Sequence, residues 1–332
     1  MSKKLRWGIL GTGAIARKFA IGLRDSHTGE LAAAGSRAEE TLHKFLADFP
    51  ARGHATYEAL LADPEIDAVY ISVPHPMHVE WAIHTARAGK HILCEKPLTM
   101  NASEAEFVVD AARSANVFLM EAFMYRCHPQ TARVLELIRE GAIGPVRLVQ
   151  AAFSFRAEWN PSGRLLNPAL GGGGILDIGC YCVSMARLIA GAARGEPFAD
   201  PDEVKGVGNI GRTGVDEFAA AVMKFPGGML AEVTAGVRVT LENQVRVWGE
   251  EGHLDIPSPW VVNGGNPGES LLLLHRGGQT SEVKVHADRS IYAIEADTVA
   301  ESIAARESPA MTWSDSLGNM RTLDRWRAEI GL

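Results

Sequence analysis

The sequence predicts an α/β protein in which a helix-flanked parallel sheet is followed by an α+β domain with a large, mostly antiparallel open sheet. Three observations predict it. Through about the first 125 residues short apolar runs alternate with helix-length segments, the signature of βαβ units. From Glu203 to Val285 strand-like runs follow one another directly, separated by turn signals such as Pro226-Gly227-Gly228 and Gly277-Gly278, as in an antiparallel sheet. A glycine-rich turn stands between the first strand and the first helix. On this reading the 332 residues divide into domains of 1–125 and 126–332, each long enough to bury its own core.

In the first domain, Leu5–Leu10 is expected as a strand, Ala14–Leu23 as a helix, Glu30–Gly35 as a strand and Glu39–Asp48 as a helix. A short strand near His54–Thr56 leads into a helical turn at Tyr57–Leu61. Ala68–Val73 is strongly strand-like and stops at Pro74, while Met77–Ala88 reads as a helix closed by Gly89. His91–Cys94 and Val117–Glu121 are strands on either side of a helix at Ser103–Ser114. The second domain opens with a helix at Pro129–Glu140 and a long strand at Val146–Phe155. An irregular stretch rich in Pro, Gly and Arg precedes a helix at Ile175–Ala190. Strands are then expected at Val204–Gly211, Asp216–Phe225, Met229–Val239, Gln244–Trp248, Leu271–His275 and Glu282–Val285, and helices at Tyr292–Arg306 and Ser314–Ile330.

Hydrophobic residues at 46% and charged residues at 22% give an ordinary globular balance. A formal net charge of -7 argues against a general grip on nucleic acid, which needs concentrated Lys and Arg, but leaves room for a local basic pocket. Neither a signal peptide nor a run of roughly 18 uninterrupted apolar residues is read from the chain, so a cytoplasmic protein without nucleic-acid or membrane partners is expected. Cys94, Cys127, Cys180 and Cys182 form no paired knuckles and sit in apolar runs, as buried reduced thiols do.

The glycine-rich turn reads Gly8-Ile9-Leu10-Gly11-Thr12-Gly13-Ala14-Ile15-Ala16, a G-x-G-x-x-A fingerprint. Gly11 permits the tight turn, the bare Gly13 lets a pyrophosphate approach the backbone, and Ala16 allows close helix–sheet packing. Thr12, Ala14 and Ile15 complete the cradle, so the first domain is a Rossmann dinucleotide-binding domain. Where an NAD enzyme usually places an acid to hold the ribose 2′-hydroxyl, this chain has Ser36-Arg37. A hydroxyl and a guanidinium suit a 2′-phosphate, so NADP(H) is preferred and NAD(H) remains possible. Pro74, His75 and His78, just past another strand, are expected to line the cofactor crevice; no metal site is expected, because these histidines lack a carboxylate or Cys partner.

His91-Ile92-Leu93-Cys94-Glu95-Lys96-Pro97 ends a further parallel strand with Lys96 at the carboxyl edge of the sheet, where ligands bind. This segment, the fingerprint, and Gly171-Gly172-Gly173-Gly174-Ile175-Leu176-Asp177-Ile178-Gly179 together resemble the glucose–fructose oxidoreductase / inositol dehydrogenase family over essentially the whole chain. Met120-Glu121-Ala122-Phe123-Met124-Tyr125-Arg126 with His128-Pro129, and the closing Ser314–Leu332 segment, are similar to its dihydrodiol dehydrogenase and D-xylose dehydrogenase branch. The resemblance implies a catalytic Lys96, followed by a proline often in a cis peptide. It also implies a homodimer or homotetramer assembled through the open sheet.

Asp177 and Tyr181 lie four apart in an expected helix and so share a face. Many relatives carry His where Tyr181 stands; an adjacent Lys96 ammonium would bring a phenol, ordinarily near pKa 10, towards working pH. The expected chemistry is hydride transfer between nicotinamide and a carbinol or carbonyl carbon of a sugar, polyol or trans-dihydrodiol. Tyr181 serves as acid/base assisted by Lys96, and Asp177 orients Lys96 or a neighbouring sugar hydroxyl. Glu95 and Glu121 are expected at the cofactor crevice; Arg126, Arg156, Trp159, Asn160, Arg164, Tyr292 and Glu295 are candidates for contact with a polyhydroxylated substrate. Two other readings share these residues: a reductase of a dicarbonyl or anhydro-keto sugar, and a catalytically silent NADP-sensing regulator.

Overall fold

Trp7, Ile9 and Leu10 of the first strand, β1 (Leu5–Leu10), have no exposed surface, as a central parallel strand covered on both faces requires. A computed structural model describes residues 4–332. After β1 come α1 (Ala14–Asp25), β2 (Gly29–Gly35), α2 (Glu39–Asp48), β3 (Arg52–His54) and α3 (Tyr57–Leu61). β4 (Ala68–Ile71), α4 (His78–Arg87), β5 (His91–Glu95), α5 (Ala102–Ala115), β6 (Leu119–Ala122) and the short α6 (Met124–Cys127) follow. The six strands form a parallel sheet in the order β3-β2-β1-β4-β5-β6, the doubly wound arrangement expected of a Rossmann domain. Its core is aromatic where α1 meets the sheet: Phe19 stacks on Tyr70 at 4.0 Å between centroids and meets Trp7 edge-on at 5.1 Å.

The remaining elements are α7 (Pro129–Arg139), β7 (Val146–Ser154), a π-helical turn at Ile175–Gly179, and α8 (Cys180–Ala192). They continue with β8 (Glu203–Ile210), β9 (Asp216–Lys224), β10 (Leu230–Gly236), β11 (Val245–Gly249), β12 (Gly252–Ile256), β13 (Gly268–Arg276) and β14 (Gln279–Ala287), then α9 (Ile291–Ser302) and α10 (Trp313–Glu329). Eight strands form a sheet in the order β14-β13-β12-β11-β7-β10-β9-β8; β7 and β10 run parallel and every other neighbouring pair is antiparallel. Val149, Val233, Val247 and Leu254 are buried on the face covered by α8. Phe218, Val222 and Leu230 are exposed on the other. The apolar stretch Pro168–Ala192 is long and hydrophobic enough to cross a membrane, yet its most apolar 18 residues are all buried as a core segment. None of the four cysteines is in a disulfide, and burial pushes the thiols of Cys94, Cys127 and Cys182 up.

The chain forms two compact units: residues up to Thr99 with Ser103–His128 and Asp288–Ser316, and Met100–Ala102 with Pro129–Ala287 and Leu317–Leu332. The sequence places 288–316 in the second domain; packing places it in the first unit. The physical reason is α9, which lies on α1 where Gly22 has no side chain: a Cβ there would stand 2.6 Å from the Cβ of Tyr292. Edge strand β6 is bound to the same segment, since Leu119 N donates to Arg306 O at 3.1 Å and Trp313 Nε1 donates to Leu119 O at 3.0 Å. Strand β12 is the one element of the second sheet that the sequence did not announce.

Candidate active site

The turn between β1 and α1 is shaped for a phosphate. Gly11 has φ +90°, donates its N–H to Gly35 O at 3.0 Å, and a Cβ there would stand 3.0 Å from Ser72 O. Gly13 caps α1, and a Cβ added to it would meet nothing within 4 Å. The N–H groups of Ala14 and Ile15 open the helix beside that space, so the residues present fit a dinucleotide pyrophosphate. Past β2, Ser36 is buried and its hydroxyl orders the local turn, accepting from Ala38 N at 3.2 Å and lying 2.9 Å from Thr41 Oγ1. Thr12 Oγ1 reaches the same threonine at 3.1 Å. Arg37 is exposed, with its guanidinium over the Tyr57 ring at 5.6 Å. The cation therefore faces solvent at the strand edge while the serine fixes the turn that carries it.

The turn bearing Lys96 is held from three sides. Leu98 N donates to Glu121 Oε1 at 2.8 Å, and Lys96 N donates to Glu95 Oε2 at 3.2 Å. Buried His78 sets Nδ1 2.9 Å from Pro97 O and Nε2 2.9 Å from Val73 O. The Lys96–Pro97 peptide is cis. Glu121 and His78, expected at the cofactor, thus act from beneath as braces of this turn. His75 is buried with its ring 5.6 Å from that of His78, and Pro74 is exposed at the start of the same turn.

Below Glu95 lies a buried acidic cluster. The Tyr70 hydroxyl donates to Glu95 Oε1, and Glu295 and Tyr292 pack nearby on α9. Burial first, and the Glu95 charge second, push the Glu295 carboxyl well above the usual carboxylate range and raise the Tyr292 phenol. Tyr292 and Glu295 are thus buried residues of the first unit, carried on α9. Arg126 is also redirected: it is buried, donates to Ala310 O at 2.9 Å, and is ion-paired to equally buried Asp315.

In the second unit, Asp177 sits in the π-helical turn and Tyr181 in the first turn of α8. Buried Asp177 accepts from Arg164 Nη1 at 2.7 Å. The Tyr181 ring is 5% exposed and meets Phe153 edge-on at 5.3 Å and Trp260 at 5.8 Å. Arg156 is exposed in an isolated bridge to Arg238, whose guanidinium lies over the exposed Trp159 ring at 5.6 Å; Asn160 is exposed beside it. Sequence reasoning missed Asp216, the first residue of β9. Its Oδ2 accepts from Ile175 N at 2.7 Å, anchoring the turn that carries Asp177, and burial raises its pKa to about 6. The only signal was an acid opening a strand whose centre, Phe218–Met223, is apolar.

Two sequence profiles cover most of the chain. The oxidoreductase family with NAD-binding Rossmann fold matches residues 5–123, and the GFO/IDH/MocA C-terminal domain matches 131–255. The chain belongs to the GFO/IDH/MocA oxidoreductase family. Within this family, trans-1,2-dihydrobenzene-1,2-diol dehydrogenase of Mus musculus is 36% identical over 78% of this chain and 78% of its own. D-xylose 1-dehydrogenase (NADP(+)) 2 of Haloferax volcanii is 35% identical over 96% and 95%. Among solved structures, KijD10, a 3-ketoreductase from Actinomadura kijaniata in complex with NADP and TDP-benzene, is similar with a TM-score of 0.89 at 28% identity, covering 99% of this chain and 98% of its own. A Tyr-to-Phe and a Lys-to-Ala mutant of that ketoreductase are also solved. Family membership makes this protein an oxidoreductase of the sugar and dihydrodiol dehydrogenase type, with an NAD-binding Rossmann domain.

Proposed function

We propose that the protein is a cytoplasmic NADP-dependent dehydrogenase of a sugar, polyol or trans-dihydrodiol, with Tyr181 as acid/base and Lys96 and Asp177 assisting. The observation that carries the reading is the bracing of the Lys96 turn by Glu95, Glu121 and His78 at the carboxyl edge of the Rossmann sheet. Three ionisable side chains fixing one short turn is the support a positioned catalytic lysine needs. Gly11, Gly13 and the first turn of α1 hold the pyrophosphate, and Arg37 meets the 2′-phosphate. Bound nicotinamide accepts or supplies the hydride. In oxidation, Tyr181 Oη takes the proton of the substrate hydroxyl. Lys96 Nζ donates a hydrogen bond to the substrate oxygen and favours the phenolate. Asp177, held by Arg164, orients the substrate's neighbouring hydroxyls, with Arg156 and Trp159 on the same segment offering a cation and a stacking face. In reduction Tyr181 returns the proton.

The similarity to a 3-ketoreductase supports a second reading with the same groups working as a reductase of a keto or dicarbonyl sugar. Exposed Val207, Phe218, Val222 and Leu230 on the open sheet face support homodimers or homotetramers. The test mixes the protein with NADP⁺ and a panel of aldoses, polyols and trans-diols and follows absorbance of the reduced cofactor. Replacing Tyr181 by Phe lowers turnover roughly 10²–10⁴-fold while NADPH still binds. Unchanged turnover removes Tyr181 from the mechanism, and tight NADPH binding without turnover on any substrate in either direction turns the reading to a sensor.

A further inference from the structure

We propose that His253, Asp255 and His275 form a binding site for a divalent transition ion of the zinc class on the open face of the antiparallel sheet. Strand register assembles it. His253 and Asp255 are two apart on β12 and so project to one face, and His275 of β13 is paired directly with His253. Across β11, Trp248 pairs with His253 and Arg246 with Asp255; across β14, Thr280 pairs with His275. One donor atom from each of the three residues lies within 4.8 Å of the others. Two of the separations are short: His275 Nε2 to Asp255 Oδ2 is 3.5 Å, and His253 Nε2 to Asp255 Oδ1 is 3.9 Å. Ligand atoms of a tetrahedral zinc centre with bonds of 2.0–2.1 Å stand about 3.3 Å apart, so an ion closes the triangle once the two stacked imidazoles tilt towards each other.

The outer contacts are those that ligating histidines use. His275 Nε2 is buried without a hydrogen-bond partner, while its Nδ1 lies 2.8 Å from Thr280 Oγ1, which fixes the ring from behind. The two imidazoles stack at 4.1 Å and 9°, and Trp248 covers the other face of His253 at 4.3 Å. Arg246 Nε donates to Asp255 Oδ1 at 2.5 Å. That guanidinium aims the carboxylate at the histidines and weakens the field for any cation. The combination selects an ion that binds imidazole well over calcium or magnesium, which depend on carboxylate charge. Three protein donors leave a fourth position for water.

The test uses the full-length, tag-free chain, stripped with chelator and titrated calorimetrically with zinc chloride, with calcium and magnesium as controls. One zinc per chain is expected, with no heat from the controls, and cobalt(II) added instead should give the visible absorption of a tetrahedral centre. His275→Ala and Asp255→Asn should each weaken zinc at least tenfold, whereas Arg246→Gln should tighten it. Should His275→Ala fail to fold, half-buried His253→Gln serves in its place. Absence of zinc uptake, or uptake that these variants leave unchanged, overturns the proposal.

Discussion

Glu121 Oε1 accepts the N–H of Leu98 at 2.8 Å, so a buried acid at the end of β6 holds the turn that follows β5. Glu121→Ala leaves that amide without its acceptor and should cost about 1–3 kcal/mol in denaturant unfolding. Glu121→Gln keeps an acceptor in place and should recover most of the loss. Equal stability of the alanine variant and the parent would show that the contact holds nothing.

In the proposed function the cofactor preference turns on Ser36 and Arg37. An aspartate at position 36 can still accept the Ala38 N–H that the serine hydroxyl now takes, but its charge repels a 2′-phosphate. Ser36→Asp should raise the Kd for NADP⁺ at least tenfold and spare NAD⁺, as fluorescence titration of both cofactors would reveal. Arg37→Ala should weaken NADP⁺ in the same direction. Parallel losses for the two cofactors would mean that the turn has collapsed and that its charge decides nothing.

Asp216 links stability to pH. Its pKa is raised from 3.8 to about 6 by burial, so the folded chain holds this proton more tightly than the unfolded chain. That contribution is complete below pH 3.8 and is lost as pH rises through 6, a change of roughly 3 kcal/mol from this residue. Asp216→Asn remains an acceptor for Ile175 N and removes the titration. Urea midpoints measured from pH 4 to 8 should fall less steeply for the variant. Identical slopes would exclude Asp216 as the titrating group.

Arg164 and Asp177 form a pair with one partner half-exposed, so solvent screening keeps its stabilising effect below about 1 kcal/mol. Arg164→Ala should therefore leave the melting temperature nearly unchanged and raise KM for the carbohydrate severalfold, with kcat altered less. Loss of folding instead of affinity would recast the pair as structural.

How much of this was legible in the chain depended on how local the cause was. Gly11 and Gly13 were readable because a tight turn and a bare helix start dictate glycine at fixed spacing, and the parallel character of the first sheet followed from the alternation of elements. Strand β12 was not, because His253 and Asp255 face outward and leave only Leu254 and Ile256 as its buried apolar side chains. The bracing of Lys96 by His78 and Glu121 joins residues 19 and 23 positions apart through backbone groups that no side-chain pattern records. Arg126 looked like a ligand-binding cation because its partner Asp315 lies 189 residues away.

The return of Asp288–Ser316 to the first unit has a consequence for synthesis. A nascent chain that has just released residue 128 from the ribosome carries all six strands of the parallel sheet but not α9, so the face of α1 around Gly22 stands uncovered. Domains ordinarily fold in the order they are made. Here the amino-terminal unit stays unfinished until residues 288–316 have been made, and the whole second sheet is translated while it waits.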